Sequence, residues 1–288
     1  MMNYNSPGSL KAILQEEGLG MRKKFGQNFL INPKTRLALT EALGTQAAEN
    51  KEEVWEIGPG LGAMTALLLE KGFTVRAFEI DPGFIRVLKR IFAENKNFNL
   101  VEGDVLKTWK KAKEEQKQAP YLLGNLPYNI AATLLADFIE KGCLFKRIVV
   151  TVQKEVALRM AAAAGSPDYS SFSVLCASAY KVKPLMLIRP SSFYPQPNVD
   201  SMGVLLESRN APQYPSVFYP LVRALFASRR KTIRNNLSGF ISSRFGVSSQ
   251  DVCAAIFQEN GLSGMERAEE LGTEVFLSLA NSVENMRK

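Results

Sequence analysis

A mostly parallel α/β sheet followed by a small helical domain is the fold this 288-residue chain predicts. Three observations carry the prediction. From about Glu53, short apolar runs alternate with amphipathic ones in the order strand, turn, helix. The first apolar run, Val54-Trp55-Glu56-Ile57, feeds a glycine-rich turn, Gly58-Pro59-Gly60-Leu61-Gly62. After the linker Ala211-Pro212-Gln213-Tyr214-Pro215, strand-like runs stop and helical periodicity continues alone.

Taken in order, the expected strands are Val54 to Ile57, Val75 to Phe78, Asn99 to Glu102, Tyr121 to Gly124 and Arg147 to Val152. Helical patterns at Met64 to Glu70, Gly83 to Ala93 and Ala131 to Glu140 have the length that parallel crossovers need. Two further β-like runs, Ala179 to Val182 and Gly203 to Leu206, flank a Pro-rich loop from Arg189 to Ser201 and are expected as antiparallel additions at the sheet edge. The mixed run Lys107 to Lys117 reads as a solvated loop or helix face. The expected divisions are an N-terminal extension over 1–22, to which no role is assigned, a nucleotide-cofactor domain over 23–208 and a helical domain over 209–288.

Hydrophobic residues make up 46% of the chain and charged ones 22%, as in ordinary globular proteins. No apolar run reaches the ~18 residues of a membrane span, and the N-terminus does not resemble a signal peptide. A cytoplasmic location is expected. Cys143, Cys176 and Cys253 are widely spaced and read as reduced, buried thiols. The net charge of +8 favours a polyanionic partner, with RNA or DNA the natural candidates. The chain has no histidine, which removes Ser-His-Asp triads, His-based metal sites and imidazole acid–base catalysis. Chemistry here must work by positioning and electrostatics, and no metal is expected.

The glycine turn follows the pattern Gly-x-Gly-x-Gly, one residue tighter than that of dinucleotide binders, and Gly58 and Gly60 let a cofactor approach the backbone closely. Glu56 at the strand end would repel a pyrophosphate but could receive an ammonium group or orient the loop, which favours S-adenosylmethionine over NAD. Glu79 ends the next strand, 21 residues after Gly58, where a carboxylate can hold both ribose hydroxyls. Ile80 would pack on the adenine, and Asp104 after the third strand could accept from its amine. The plain alternative is a tight turn with two helix-capping acids.

Gly124-Asn125-Leu126-Pro127-Tyr128-Asn129-Ile130 is the most specific stretch. The Asn125 amide oxygen can accept one hydrogen of an exocyclic base amine, and the kinked backbone at Leu126-Pro127 can offer a carbonyl to the other. Tyr128 supplies a face on which a flipped-out base can stack. Adenine N6 methylation is the chemistry these parts suit. The alternative is a Pro turn anchored by a half-buried tyrosine. Farther on, a helix-like run from Arg223 to Leu237 would bring Arg223, Arg230 and Arg234 to one face with Lys231 beside them, a stripe suited to an RNA backbone. Arg22, Lys23 and Lys24 are a second candidate contact.

Together with Lys24-Phe25-Gly26-Gln27-Asn28-Phe29-Leu30, Gln153-Lys154-Glu155-Val156, 192–201 (Ser192 to Ser201) and 229–235 (Arg229 to Asn235), these segments make the chain resemble the ribosomal RNA small subunit adenine N6-dimethyltransferase family, over Lys23 to about Asn281. The resemblance implies a Rossmann-like methyltransferase domain that uses S-adenosylmethionine to dimethylate two adjacent adenines in the 3′-terminal hairpin loop of small-subunit (16S) rRNA, within an immature 30S subunit. It implies cofactor contacts from Gln27, Asn28, Leu30, Glu56, Gly58, Glu79, Ile80, Asp104 and Asn125. It also implies that Asn125, Leu126, Pro127 and Tyr128 hold the target adenine while Phe193 closes over its other face. A monomer is expected, since nothing demands more. The competing readings are a large-subunit rRNA methyltransferase conferring antibiotic resistance and a non-catalytic RNA-binding assembly factor on the same scaffold.

Overall fold

A computed structural model of the chain describes residues 3–20, 27–116, 119–209, 214–246 and 250–286. Nine strands are present among the described residues. These are β1 (Phe29–Leu30), β2 (Glu53–Ile57), β3 (Thr74–Glu79), β4 (Phe98–Glu102), β5 (Tyr121–Asn125), β6 (Arg147–Gln153), β7 (Tyr180–Ile188), β8 (Phe193–Tyr194) and β9 (Ser201–Ser208). Seven of them form one sheet in the order β4-β3-β2-β5-β6-β9-β7. The pairs β4-β3, β3-β2, β2-β5 and β5-β6 are parallel, and β9 runs antiparallel to β6.

The central parallel strands are apolar because both faces are covered, whereas the edge strand β4 exposes Asn99 and Glu102. Val54, Trp55 and Ile57 of β2 are at most 2% exposed, and Trp55 packs against the rings of Phe78 and Phe145. Crossover helices fill the expected places at Ala63–Glu70, Pro82–Ile91 and Ala131–Glu140. The second starts where it does because the Asp81 side chain accepts from Gly83 N–H and Pro82 fills the first turn. The mixed run that begins at Lys107 belongs, as far as Gln116, to the helix Val105–Gln116, whose polar face is solvated.

The edge strand β7 is longer than expected and continues through Pro184 to Ile188, which an edge position permits. The Pro-rich loop holds a further strand, β8, paired antiparallel with β1 so that Phe29 faces Tyr194 and Leu30 faces Phe193. The sequence order reverses between β2 and β5, so a crevice opens beyond the carboxyl ends of these two strands.

Two compact units divide the chain: residues 1–157 with 182–208, and 158–181 with 209–288. The helical unit thus takes a segment that the expected boundary at 208/209 assigns to the first domain. The reason is packing, because Tyr169 and Val174 join Phe218, Leu221, Leu225, Leu237 and Phe276 in the helical core. The Tyr169 hydroxyl donates to the Leu271 carbonyl and the Tyr214 hydroxyl to that of Ser178, stitching the two segments together.

Candidate active site

At the crevice lies a cavity of about 320 Å³. Its inner wall is the turn after β2, where Gly58, Gly60 and Gly62 have φ of 68°, 60° and 88°, values that side chains with a Cβ strain to adopt. A Cβ on Gly60 would also stand 2.9 Å from the Phe29 ring, so the turn can run this close to β1 only as glycine. Glu79 fastens the loop: its carboxylate accepts from the N–H groups of Gly60, Ile80 and Asp81 at 3.2, 2.9 and 2.8 Å.

Gln27, Asn28, Leu30, Gly58, Gly60, Glu79, Ile80, Asp104, Asn125 and Pro127 line the cavity. Ile80 is 40% exposed there, an apolar side chain that a flat ring would cover. The Asp104 side chain caps the helix Val105–Gln116 at Leu106 N–H while facing the cavity. At the end of β5, Asn125 Nδ2 donates to the Asn28 carbonyl at 2.6 Å. That bond commits the amide nitrogen and leaves Oδ1 as the acceptor. In the following turn the Pro127 carbonyl accepts from Ile130 and Ala131, whereas the Leu126 carbonyl takes no hydrogen bond among the described residues. Tyr128 is half-buried, and its hydroxyl is hydrogen-bonded to Ser201 Oγ at 2.6 Å, which fixes the ring.

Several expected residues are placed otherwise. Glu56 is fully buried and outside the cavity lining: Thr65 Oγ1 donates to one oxygen at 2.6 Å, and the other oxygen is buried without a hydrogen-bond partner. Phe193 is 1% exposed and packs in the core with Leu30, Leu39, Ile188 and Leu205. It does not face the cavity, because pairing of β8 with β1 turns its side chain inward. The run from Arg223 to Leu237 is not one helix. It breaks between Phe218–Phe226 and Ile233–Phe245, leaving Arg230 and Lys231 in the turn, so the expected single stripe does not form. Arg223, Arg230, Lys231 and Arg234 are all exposed. Arg22, Lys23 and Lys24 lie outside the described residues.

Sequence reasoning missed Tyr4, Leu10 and Arg36, which also line the cavity. For Tyr4 and Leu10 a signal was present in Ser6-Pro7, a helix start, followed by apolar Leu10, Ile13 and Leu14 at helical spacing, whereas nothing local marked Arg36. The helix Pro7–Glu16 buries Leu10 and Leu14 against Ile31, Leu61, Phe84 and Val87.

Burial pushes the carboxyls of Glu56 and Glu79 up to about 7, against opposing hydrogen bonds from Thr65 at Glu56 and from Asp81, Gly60 and Ile80 at Glu79. A group whose pKa is raised by folding from 4.5 favours the fold fully below that value and loses the contribution as pH rises through about 7. The melting temperature of the cofactor-free protein is therefore expected to fall between about pH 5 and about pH 8, and to fall less in Glu56→Gln. Scanning calorimetry at both pH values checks this; equal slopes in the two proteins would refute it. The three cysteines are buried, and burial pushes the Cys143 thiol up to about 12, so none is poised as a nucleophile.

Among the described residues no helix is long and apolar enough to cross a membrane, and no cluster of three or more His, Cys, Asp or Glu side chains could hold a metal ion.

A family model described as ribosomal RNA adenine dimethylase matches residues 18–280. A ribosomal RNA small subunit methyltransferase A from Treponema denticola is 46% identical over 287 residues, covering 98% of this chain and 96% of that protein. The protein of the same name from Borreliella burgdorferi is 40% identical, with coverage of 98% and 95%. Among solved structures, a dimethyladenosine transferase from Plasmodium falciparum superposes with a TM-score of 0.70 at 26% identity, over 86% of this chain and 94% of that one. The 23S rRNA methyltransferase ErmE shares the fold, with a TM-score of 0.61 at 20% identity over 88% of this chain and 99% of that one.

Proposed function

The chain belongs to the ribosomal RNA adenine dimethylase family, and on that premise we propose that Asn125, Leu126, Pro127 and Tyr128 present an adenine N6 amine to a cofactor held in the adjoining cavity. The enzyme is an S-adenosylmethionine-dependent adenine N6-dimethyltransferase of small-subunit (16S) rRNA. Its target in this reading is the pair of adjacent adenines in the 3′-terminal hairpin loop. The substrate is an immature 30S subunit, met in the cytoplasm by a monomeric enzyme.

The residues present suit the cofactor. Ile80 offers an apolar face to the adenine, Asp104 an acceptor to its amine, and Glu79 a carboxylate to the ribose hydroxyls. Two carboxylates on the wall suit a ligand that carries positive charge and no pyrophosphate. Gln27, Asn28 and Leu30 are assigned to its methionine end. Glu56 stands behind the wall, where Thr65 ties it to the helix Ala63–Glu70 that follows the glycine loop. The cofactor supplies an electrophilic methyl group on a positively charged sulfur.

The chain's own task is to make a poor nucleophile attack. The lone pair of an adenine amine is delocalised into the ring. Asn125 Oδ1 and the Leu126 carbonyl, each accepting one amine hydrogen, favour the pyramidal form and stabilise the positive charge that grows on nitrogen. The Tyr128 ring stacks under the base and adds cation–π stabilisation on the order of 1 kcal/mol. Phe193 supports the β1–β8 pair from the core rather than forming a second stacking face. No strong base is needed, because the alkylated ammonium loses its proton readily to water. The single observation that carries the reading is the bond from Asn125 Nδ2 to the Asn28 carbonyl, which leaves the acceptor end of the amide for the substrate.

Mass spectrometry of nucleosides from undermethylated small subunits and from large-subunit RNA, each incubated with isotopically labelled S-adenosylmethionine, tests the reading. Labelled N6,N6-dimethyladenosine from the small subunit alone is expected. Label in the large-subunit RNA alone would point to a resistance enzyme, and none in either to a binding factor.

On the helical unit, exposed Arg223, Arg230, Lys231 and Arg234 are assigned to the rRNA backbone, as separate contacts along a helix, a turn and a helix start. Reversing the charges of Arg223, Arg230 and Arg234 is expected to weaken subunit binding and to flatten its salt dependence by roughly 0.7–0.9 in log–log slope for each phosphate no longer neutralised. Filter binding across a salt series measures both; an unchanged slope would remove these residues from the interface.

A further inference from the structure

The cavity wall contains one cation among the described residues, Arg36 of the helix Pro33–Glu41, and it is only 4% exposed. Its guanidinium is a tether. Nη1 donates to the Leu30 carbonyl at 2.7 Å and to the Tyr4 carbonyl at 3.2 Å, and Nη2 donates to the Asn5 side chain. These are neutral acceptors, and no carboxylate among the described residues forms an ion pair with it. Nε is buried with no hydrogen-bond partner. A buried guanidinium with an unused donor and no counter-charge is costly to maintain unless an anion completes the site.

Arg36 also holds the N-terminal segment against the cavity, so that Tyr4 becomes part of the same wall. Burial, reinforced by the negative charge of Glu56, pushes the Tyr4 phenol up to about 12, so it is neutral and able to donate at physiological pH. A cation and a phenol therefore share the wall of a cavity whose other charged groups among the described residues, Glu79 and Asp104, are acids. S-adenosylmethionine has a single anionic group, the α-carboxylate of its methionine end.

We infer that Arg36 and Tyr4 recognise that carboxylate, so that the N-terminal extension, through Tyr4, completes the cofactor site. The inference rests on the cofactor reading above and specifies which end of the ligand these residues meet. It assigns them to binding and orientation, with no part in methyl transfer.

Isothermal titration with S-adenosylmethionine and with decarboxylated S-adenosylmethionine, which keeps the amine, sulfonium and adenosine, separates this role from a structural one. Wild-type protein is expected to prefer the carboxylated ligand. Arg36→Met is expected to weaken its binding roughly 10- to 100-fold, the span of one charge-assisted hydrogen bond, while leaving the decarboxylated ligand within about threefold. Tyr4→Phe keeps every main-chain tether and is expected to give the same selective loss at roughly 3- to 10-fold, so the test survives a poorly folded Arg36 variant. Equal losses for both ligands, or none for either, would overturn the assignment. Wild-type protein that binds both ligands equally would sink this inference alone, whereas one that binds neither would sink the cofactor reading with it.

Discussion

Asn125→Ala is expected to lower kcat by roughly 100- to 1,000-fold, the loss typical when one aligned polar group is removed from a developing charge. Affinity for S-adenosylmethionine is expected to change by less than about fivefold, or about 1 kcal/mol. The two effects separate because the amide has two ends with two tasks. Nδ2 is bonded to the Asn28 carbonyl, so truncation frees one main-chain acceptor at the cavity rim, whereas losing Oδ1 removes the group that draws out the amine lone pair. Single-turnover methylation with saturating cofactor, paired with titration of cofactor alone, reads both quantities. A variant that turns over near the wild-type rate would remove Asn125 from the chemistry.

Glu79→Ala is expected to act at the other step, raising the Kd for S-adenosylmethionine by roughly 100-fold, about 2.7 kcal/mol, with kcat at saturating cofactor changed little. Two losses combine: the carboxylate that holds the ribose hydroxyls, and its hydrogen bonds, of which the one from Gly60 ties the glycine turn to the end of β3 and those from Ile80 and Asp81 shape the turn after it. Glu79→Gln separates them, since its amide oxygen retains part of the backbone fastening while the charge is gone. Titration calorimetry on the three proteins decides; unchanged affinity in Glu79→Ala would contradict the ribose assignment.

What was legible in the sequence is what local chemistry writes. Gly58 and Gly60 announce a turn that only glycine adopts without strain, and Glu79, Asp104 and Asn125 stand at strand ends where the alternation of elements must bring them to one edge. Parallel strands read as continuous apolar runs, so β2, β3 and β5 lie within a residue or two of expectation.

What was not legible depends on partners far away in the chain. Phe193 looks like a ring available for stacking until β8 is seen to pair with β1, more than 160 residues earlier. The break after Phe226 has no Gly or Pro to announce it. It exists because Ile233 and Arg234 give their N–H groups to the carbonyls of Glu266 and Gly264, and because Asn236 Nδ2 reaches back to the Leu225 carbonyl. Arg36 sits on the helix Pro33–Glu41, and it is the return of Tyr4 and Asn5 across it that draws its guanidinium into the interior. Even the boundary between the units moves for this reason, since Tyr169 and Val174 follow their hydrophobic partners rather than their neighbours in sequence.

The bond between Asn125 and the carbonyl of Asn28 has an implication for mutational tolerance. The partner that sets the amide is a main-chain atom, which every amino acid possesses. A substitution at position 28 that preserves the backbone path leaves the reactive acceptor aimed as before, whatever it does to the cofactor. Drift at one wall of the pocket and fidelity of the chemistry are thereby decoupled, and the enzyme can be altered in its ligand preference without being retuned in its reaction.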